Sequence, residues 1–190
     1  MRKTLLLIAV FVFASCQEMQ AQRNMSFYEE HIDFSLDSSS FCVNGIYSFV
    51  NVTDKEIHQQ IMFPFGVKTA EIDSIRIFNL NTSQSLVLNR LESAVVFSLH
   101  LPARDSVDVN VFYRQKRSTK NTYILSSTQS WGKPLETAVY ALTVGSDIEI
   151  KSFSYEPDTV KLNNNQKVYL WKKNDFMPVA DFEINLNNKL

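Results

Sequence analysis

Apolar side chains recur at every second position over most of the chain. Phe41, Val43, Tyr47 and Phe49 form one such series, and Ile57, Ile61 and Phe63 form a second that is broken by Gln59. Val95, Phe97, Leu99 and Leu101 make a third, and Val107, Val109, Val111 and Tyr113 a fourth. Successive side chains of a strand point to opposite faces, so this period belongs to strands with one face buried and one wet. Turn-forming clusters separate the series at Asn51 to Lys55, Asn79 to Ser83, Pro102 to Ser106, Arg117 to Asn121 and Asn163 to Gln166. The stretch Tyr123 to Val144 predicts a strand, a sharp connection carrying Trp131, Gly132 and Pro134, and a second strand whose buried face holds Ala138, Tyr140, Leu142 and Val144. Beyond the N-terminus no segment keeps the three-and-four spacing of a helix. The pattern therefore predicts an all-β domain, an antiparallel β-sandwich of about ten to twelve strands, immunoglobulin-like or jelly-roll-like.

The N-terminus departs from this period. Arg2 and Lys3 precede an apolar run from Leu5 to Ala14, which stops at Ser15-Cys16. A membrane-crossing helix needs roughly 20 apolar residues, so a run of about half that length, with a basic start and a small-residue exit, reads as a signal peptide. The expected organisation is a signal peptide over 1–15, a polar tether over 16–25 and a β-sandwich domain over 26–190. The sequence Phe13-Ala14-Ser15-Cys16 resembles the bacterial lipoprotein signal, which implies lipidation of Cys16 and a membrane anchor. Phe13 stands where that signal usually has leucine, and cleavage after Ala14 or Ala21 is the alternative. Gln17 occupies the position of the aspartate that retains such proteins in the inner membrane, so the expected location is the outer membrane or periplasm.

Loss of Arg2 and Lys3 with the signal reduces 19 basic residues to 17 against 20 acidic ones, a formal charge of −3. No basic stripe with interleaved aromatics is present, so nucleic acid is not an expected partner. An apolar fraction of 45% argues for a packed domain and against disorder. With Cys16 consumed, Cys42 is the one thiol left, which excludes an internal disulfide. Its place opposite Phe41 and Val43 predicts a small, half-buried apolar role.

Little in the sequence points to catalysis. Gly45, Gly66, Gly132 and Gly145 are too dispersed for a phosphate-cradling loop, so no nucleotide cofactor is expected. His31, His58 and His100 are scattered, no HExxH or CxxC element is present, and no metal site is expected from spacing. Ser38 to Ser40 and Ser126 to Thr128 lack a nucleophile elbow. Glu29 with Glu30, and Asp105 with Asp108, read as wet faces of strands. The aromatics give the one site-like signal: Trp131 in its turn, Trp171, Tyr155 before Pro157, and Lys172 as a hydrogen-bond donor beside Trp171. These are the candidate ligand contacts, able to stack on sugar rings; equally, Trp171 alternates with Tyr169 as core, and Trp131 can plug one end of the sandwich.

Three stretches, FVNVTDKEIHQQIMFPFG, YILSSTQSWGKPLETAVYALTV and WKKNDFMPVADFEINL, resemble a family of exported bacterial proteins classified as a domain of unknown function. The likeness spans about Asn44 to Leu186. It implies an envelope β-sandwich and no particular activity. The expectation is a non-catalytic envelope lipoprotein that acts as a binding or assembly module, its partner an envelope protein or a glycan. A glycan-binding module and a hydrolase are the alternatives.

Overall fold

The structure, a computed structural model, describes residues 24–163 and 166–187. The signal sequence and Cys16 lie outside the described residues. The strands are β1 (Met25–Leu36), β2 (Ser40–Asn51), β3 (Ile57–Pro64), β4 (Ile72–Asn79), β5 (Gln84–Ser85), β6 (Leu88–Arg90) and β7 (Ala94–Leu101). They continue with β8 (Ser106–Lys116), β9 (Lys120–Tyr123), β10 (Leu135–Val144), β11 (Ile150–Phe153), β12 (Thr159–Asn163), β13 (Gln166–Phe176) and β14 (Phe182–Leu186). The all-β reading holds, and no described helix is long and apolar enough to cross a membrane.

One layer is an eight-stranded sheet in the order β12-β13-β10-β1-β2-β8-β4-β5. The layer facing it is split into two three-stranded sheets, β11-β14-β9 and β3-β7-β6, where the sequence pattern predicts a single second sheet. Aromatic side chains join the layers. Phe182 of β14 stacks on Phe34 of β1 at 5.0 Å and lies 5.5 Å from Tyr140 of β10, while Phe63 of β3 meets Tyr47 edge-on at 5.4 Å. Buried side chains from all three sheets form one continuous cluster. Among the described residues every pairing is antiparallel except β1 with β10, which run parallel from Glu29 opposite Thr137 to Leu36 opposite Val144.

Strand β1 changes phase partway along. Met25 and Phe27 are buried, and the buried positions then become Glu30, Ile32, Phe34 and Leu36. The cause is a bulge: Phe27 faces Phe49 of β2 and Glu29 faces Ser48, leaving Tyr28 as the extra residue. An added residue swaps the faces of everything beyond it. Met25 is itself buried in β1, so the folded part begins one residue inside the predicted tether.

The stretch from Tyr123 to Val144 also differs from its prediction. The first strand ends at Tyr123, and Ser126–Trp131 forms a 3-10 helix. The Asp181 carboxylate accepts the backbone N–H groups of Leu125 and Ser126 at 3.1 and 2.9 Å, and these bonds turn the chain out of the sheet. Gly132, in the left-handed region at φ +71°, ends the helix. Because β9 and β10 belong to opposite layers, this segment carries the chain from one layer to the other. Cys42 is half-buried, as expected.

Gly45 lies opposite Ile32 on β1 and Val111 on β8, with its missing side chain directed inward. A methyl group there would come within 2.6 Å of the Tyr47 hydroxyl and 2.7 Å of Ile32 Cδ1. Overpacking of this kind costs about 1–3 kcal/mol. Gly45→Ala is therefore expected to lower the melting temperature by several degrees in a thermal unfolding scan. An unchanged transition would show slack where the structure has none.

Candidate functional site

The phase change in β1 places a carboxyl group in the interior. Glu30 is 1% exposed and has no cation partner among the described residues. It faces Tyr47 across β2 and Ala138 across β10, so Tyr140, two residues along the parallel neighbour, lies on the same inner face. The Tyr140 hydroxyl donates to Glu30 Oε1. Tyr123, from β9 in the facing layer, donates to Oε2 at 3.2 Å, and the Tyr47 and Tyr123 hydroxyls are 3.1 Å apart. Burial pushes the Glu30 carboxyl up to about 7, against the opposing pull of the two tyrosine hydrogen bonds. Burial, and then the charge of Glu30, push Tyr123, Tyr47 and Tyr140 up as well. The expectation that Glu29 and Glu30 lie on a wet strand face is thus wrong for Glu30, because alternation from Phe27 carries no sign of the bulge.

Beside this network is a cavity of about 50 Å³. Glu30, Tyr47 and Tyr123 form its buried end, Phe27, Phe49 and Phe63 line its walls, and Met62 and Trp131 stand at its exposed end. Trp131 is half-buried, with its ring 5.8 Å from Phe27 and 5.5 Å from Phe49. It packs on the end of the aromatic core and presents an edge to solvent. A larger open depression of about 480 Å³ is lined by charged groups already engaged, Arg114 with Asp73 at 3.0 Å and Asp37 with Ser39 and Ser40, and has the character of solvated surface.

The other candidate contacts lie elsewhere. Trp171 is 1% exposed, its Nε1–H donates to the Tyr155 carbonyl at 2.9 Å, and its ring meets Phe182 and Phe153 edge-on. The Tyr155 hydroxyl accepts the Val179 and Ala180 amides and donates to the Ala180 carbonyl, so it holds a loop in place. Lys172 is exposed on the face of β13 opposite Trp171. Trp171 lies in the core and the Tyr155 hydroxyl is engaged by its own loop, so Trp131 and Trp171 do not make a shared exposed platform.

The histidines also depart from what their spacing suggests. The β3–β7 register places His58 directly opposite His100, with ring centroids 4.6 Å apart and planes 16° from parallel. Glu56 Oε1 lies 3.0 Å from His58 Nε2 and 2.8 Å from His100 Nε2, and the charge of His100 foremost holds the Glu56 carboxyl below its ordinary range. Alternation alone puts both histidines on the outward face; only the strand register brings them together. His31 is exposed on β1, in the other layer.

No family model and no curated protein matches the chain. Among solved structures it is similar in fold to a candidate nutrient binding protein from Legionella pneumophila, with 12% identity and a TM-score of 0.65, over 86% of this chain and 67% of that one. It is also similar to an M1 zinc metallopeptidase from Deinococcus radiodurans, with 9% identity and a TM-score of 0.54, over 86% of this chain and 43% of the peptidase. At such identities the likeness is one of fold.

Glu30 supplies a pH test of the buried network. Its folded value of about 7 lies above the ordinary 4.5, so the stability it contributes is fully present below 4.5 and is lost as pH rises through 7. The span corresponds to about 3 kcal/mol. Chemical denaturation between pH 4.5 and 7.5 is expected to show a loss of that order in the native protein relative to Glu30→Gln. Parallel pH profiles for the two proteins would contradict the assignment.

Proposed function

We propose that this chain is a non-catalytic module of the cell envelope, exported and anchored through a lipidated Cys16, that binds an envelope protein at the Trp131 cavity. The observation that carries this reading is one of size and exposure. Pockets that enclose small-molecule ligands measure about 300–1,000 Å³, whereas this cavity holds about 50 Å³, room for one small apolar group. Beside it Met62 is 65% exposed. An aromatic-lined recess of this kind with an exposed apolar rim suits a single anchoring side chain of a protein partner, the arrangement in which interface energy concentrates. Fold similarity to a candidate nutrient binding protein fits a binding role, and the ligand of that protein is not carried over.

The alternatives draw less support. A glycan platform on paired tryptophans loses Trp171 to the core. A hydrolase needs its acid, base or nucleophile grouped in a cleft; Glu30 is walled in by tyrosines, and His58 with His100 lies on an open face. The formal charge of −3 after export gives no footing for nucleic acid.

Trp131→Ala removes both the contact and packing on Phe27 and Phe49, and is expected to cost about 1–3 kcal/mol of stability. Met62→Lys separates the two effects. With an exposed side chain it should leave stability within about 0.5 kcal/mol of native, yet abolish the native co-purification of an envelope protein. Undiminished capture by Met62→Lys, or specific hits on a glycan array, would overturn the reading. Anchoring has its own check: the intact mass of the mature chain is expected to show an acylated Cys16, and a free N-terminus at Ser15 or Gln22 would refute it.

A further inference from the structure

We propose that Glu56, His58 and His100 form a binding site for one divalent transition-metal ion of the zinc class. Two imidazoles and a carboxylate are a donor set suited to such ions, and their ligand atoms all lie within 4.8 Å of one another. Both Nε2 atoms already converge on a single oxygen, Glu56 Oε1, at 3.0 and 2.8 Å. A tetrahedral zinc with bonds of about 2.0–2.2 Å separates its ligand atoms by about 3.3–3.5 Å. Each imidazole–carboxylate contact therefore needs to lengthen by only a few tenths of an ångström, and the two rings, now 16° from parallel, need to tilt toward the shared ion, movements that the torsions of exposed side chains supply.

The backbone beneath these donors is fixed. His58 and His100 sit in a ladder running from Ile57 opposite Leu101 to Pro64 opposite Ala94, and Glu56 immediately precedes β3. The register fixes the backbone positions beneath the two imidazoles, so binding requires adjustment of side-chain torsions alone. All three side chains are exposed, which leaves a fourth coordination position to water or to a donor from another molecule. Met62 is four residues further along β3 on the same outward face, about 13 Å away at strand spacing, so the ion and the proposed partner contact are separable.

The test is titration of the untagged exported domain with Zn²⁺ by calorimetry, and with Co²⁺ by visible absorption, which reports tetrahedral coordination. One equivalent is expected to bind. His58→Gln and His100→Gln should each weaken binding by at least about tenfold, the double variant should abolish it, and His31→Gln and Met62→Lys should leave it unchanged. Melting curves will establish that each variant is folded. Absence of saturable one-to-one binding, or binding undiminished in the double variant, would overturn the site, leaving a histidine pair bridged by a carboxylate alone.

Discussion

A carboxylate enclosed by aromatic rings, with no cation beside it, costs several kcal/mol in charged form, and the interior of this protein is arranged around a group of that kind. Glu30 reaches the core because one extra residue, Tyr28, is bulged out of β1 and moves the buried face from odd to even positions. Its neutral form can donate one hydrogen bond and accept others, and three tyrosine hydroxyls gather around it. Tyr140 and Tyr47 come from the strands flanking β1, whereas Tyr123 comes from the facing layer. The network therefore crosses between the large sheet and one of the small ones, at the point where apolar packing alone would not fix which residues meet. Gly45 makes the space that the Tyr47 hydroxyl occupies.

The surface feature proposed as the binding site depends on the same network. Tyr123 is the last residue of β9, and a few residues later Asp181 binds the amides that start the 3-10 helix. The chain then crosses between layers and sets Trp131 against Phe27 and Phe49, just before the bulge. The recess between Trp131 and Met62 is what remains where this crossing segment meets the end of the β3 sheet. Its polar floor and apolar rim thus follow from one irregularity in one strand.

Much of the fold is legible in the sequence, because a period of two is a direct consequence of strand geometry. The alternating apolar residues named in the sequence for β2, β7, β8 and β10 are all buried. Local irregularities are less legible. The bulge in β1 reverses the face of Glu30, and no single residue marks it. The carboxylate of Asp181, distant in sequence, ends β9 at Tyr123 and starts a 3-10 helix in the connection for which the sequence pattern predicts only a sharp bend. Strand register is invisible to composition and spacing, which is why His58 and His100, 42 positions apart in a sequence reading of dispersed histidines, prove to be directly paired. Of the four candidate contacts, Trp131 lies at a cavity while Trp171 is core; both were compatible with alternation, and only the layer crossing distinguishes them.

The central claim is that Glu30 stays neutral inside the core until pH rises to about 7. Carbon-13 labelling of glutamate side-chain carboxyls, with Glu30→Gln to identify the resonance, permits its titration to be followed directly by NMR. A midpoint near 7 in the folded protein is the predicted result. A midpoint near the ordinary value of about 4.5 would mean that the group is solvated or paired, and would contradict the buried tyrosine network and the cavity floor built on it.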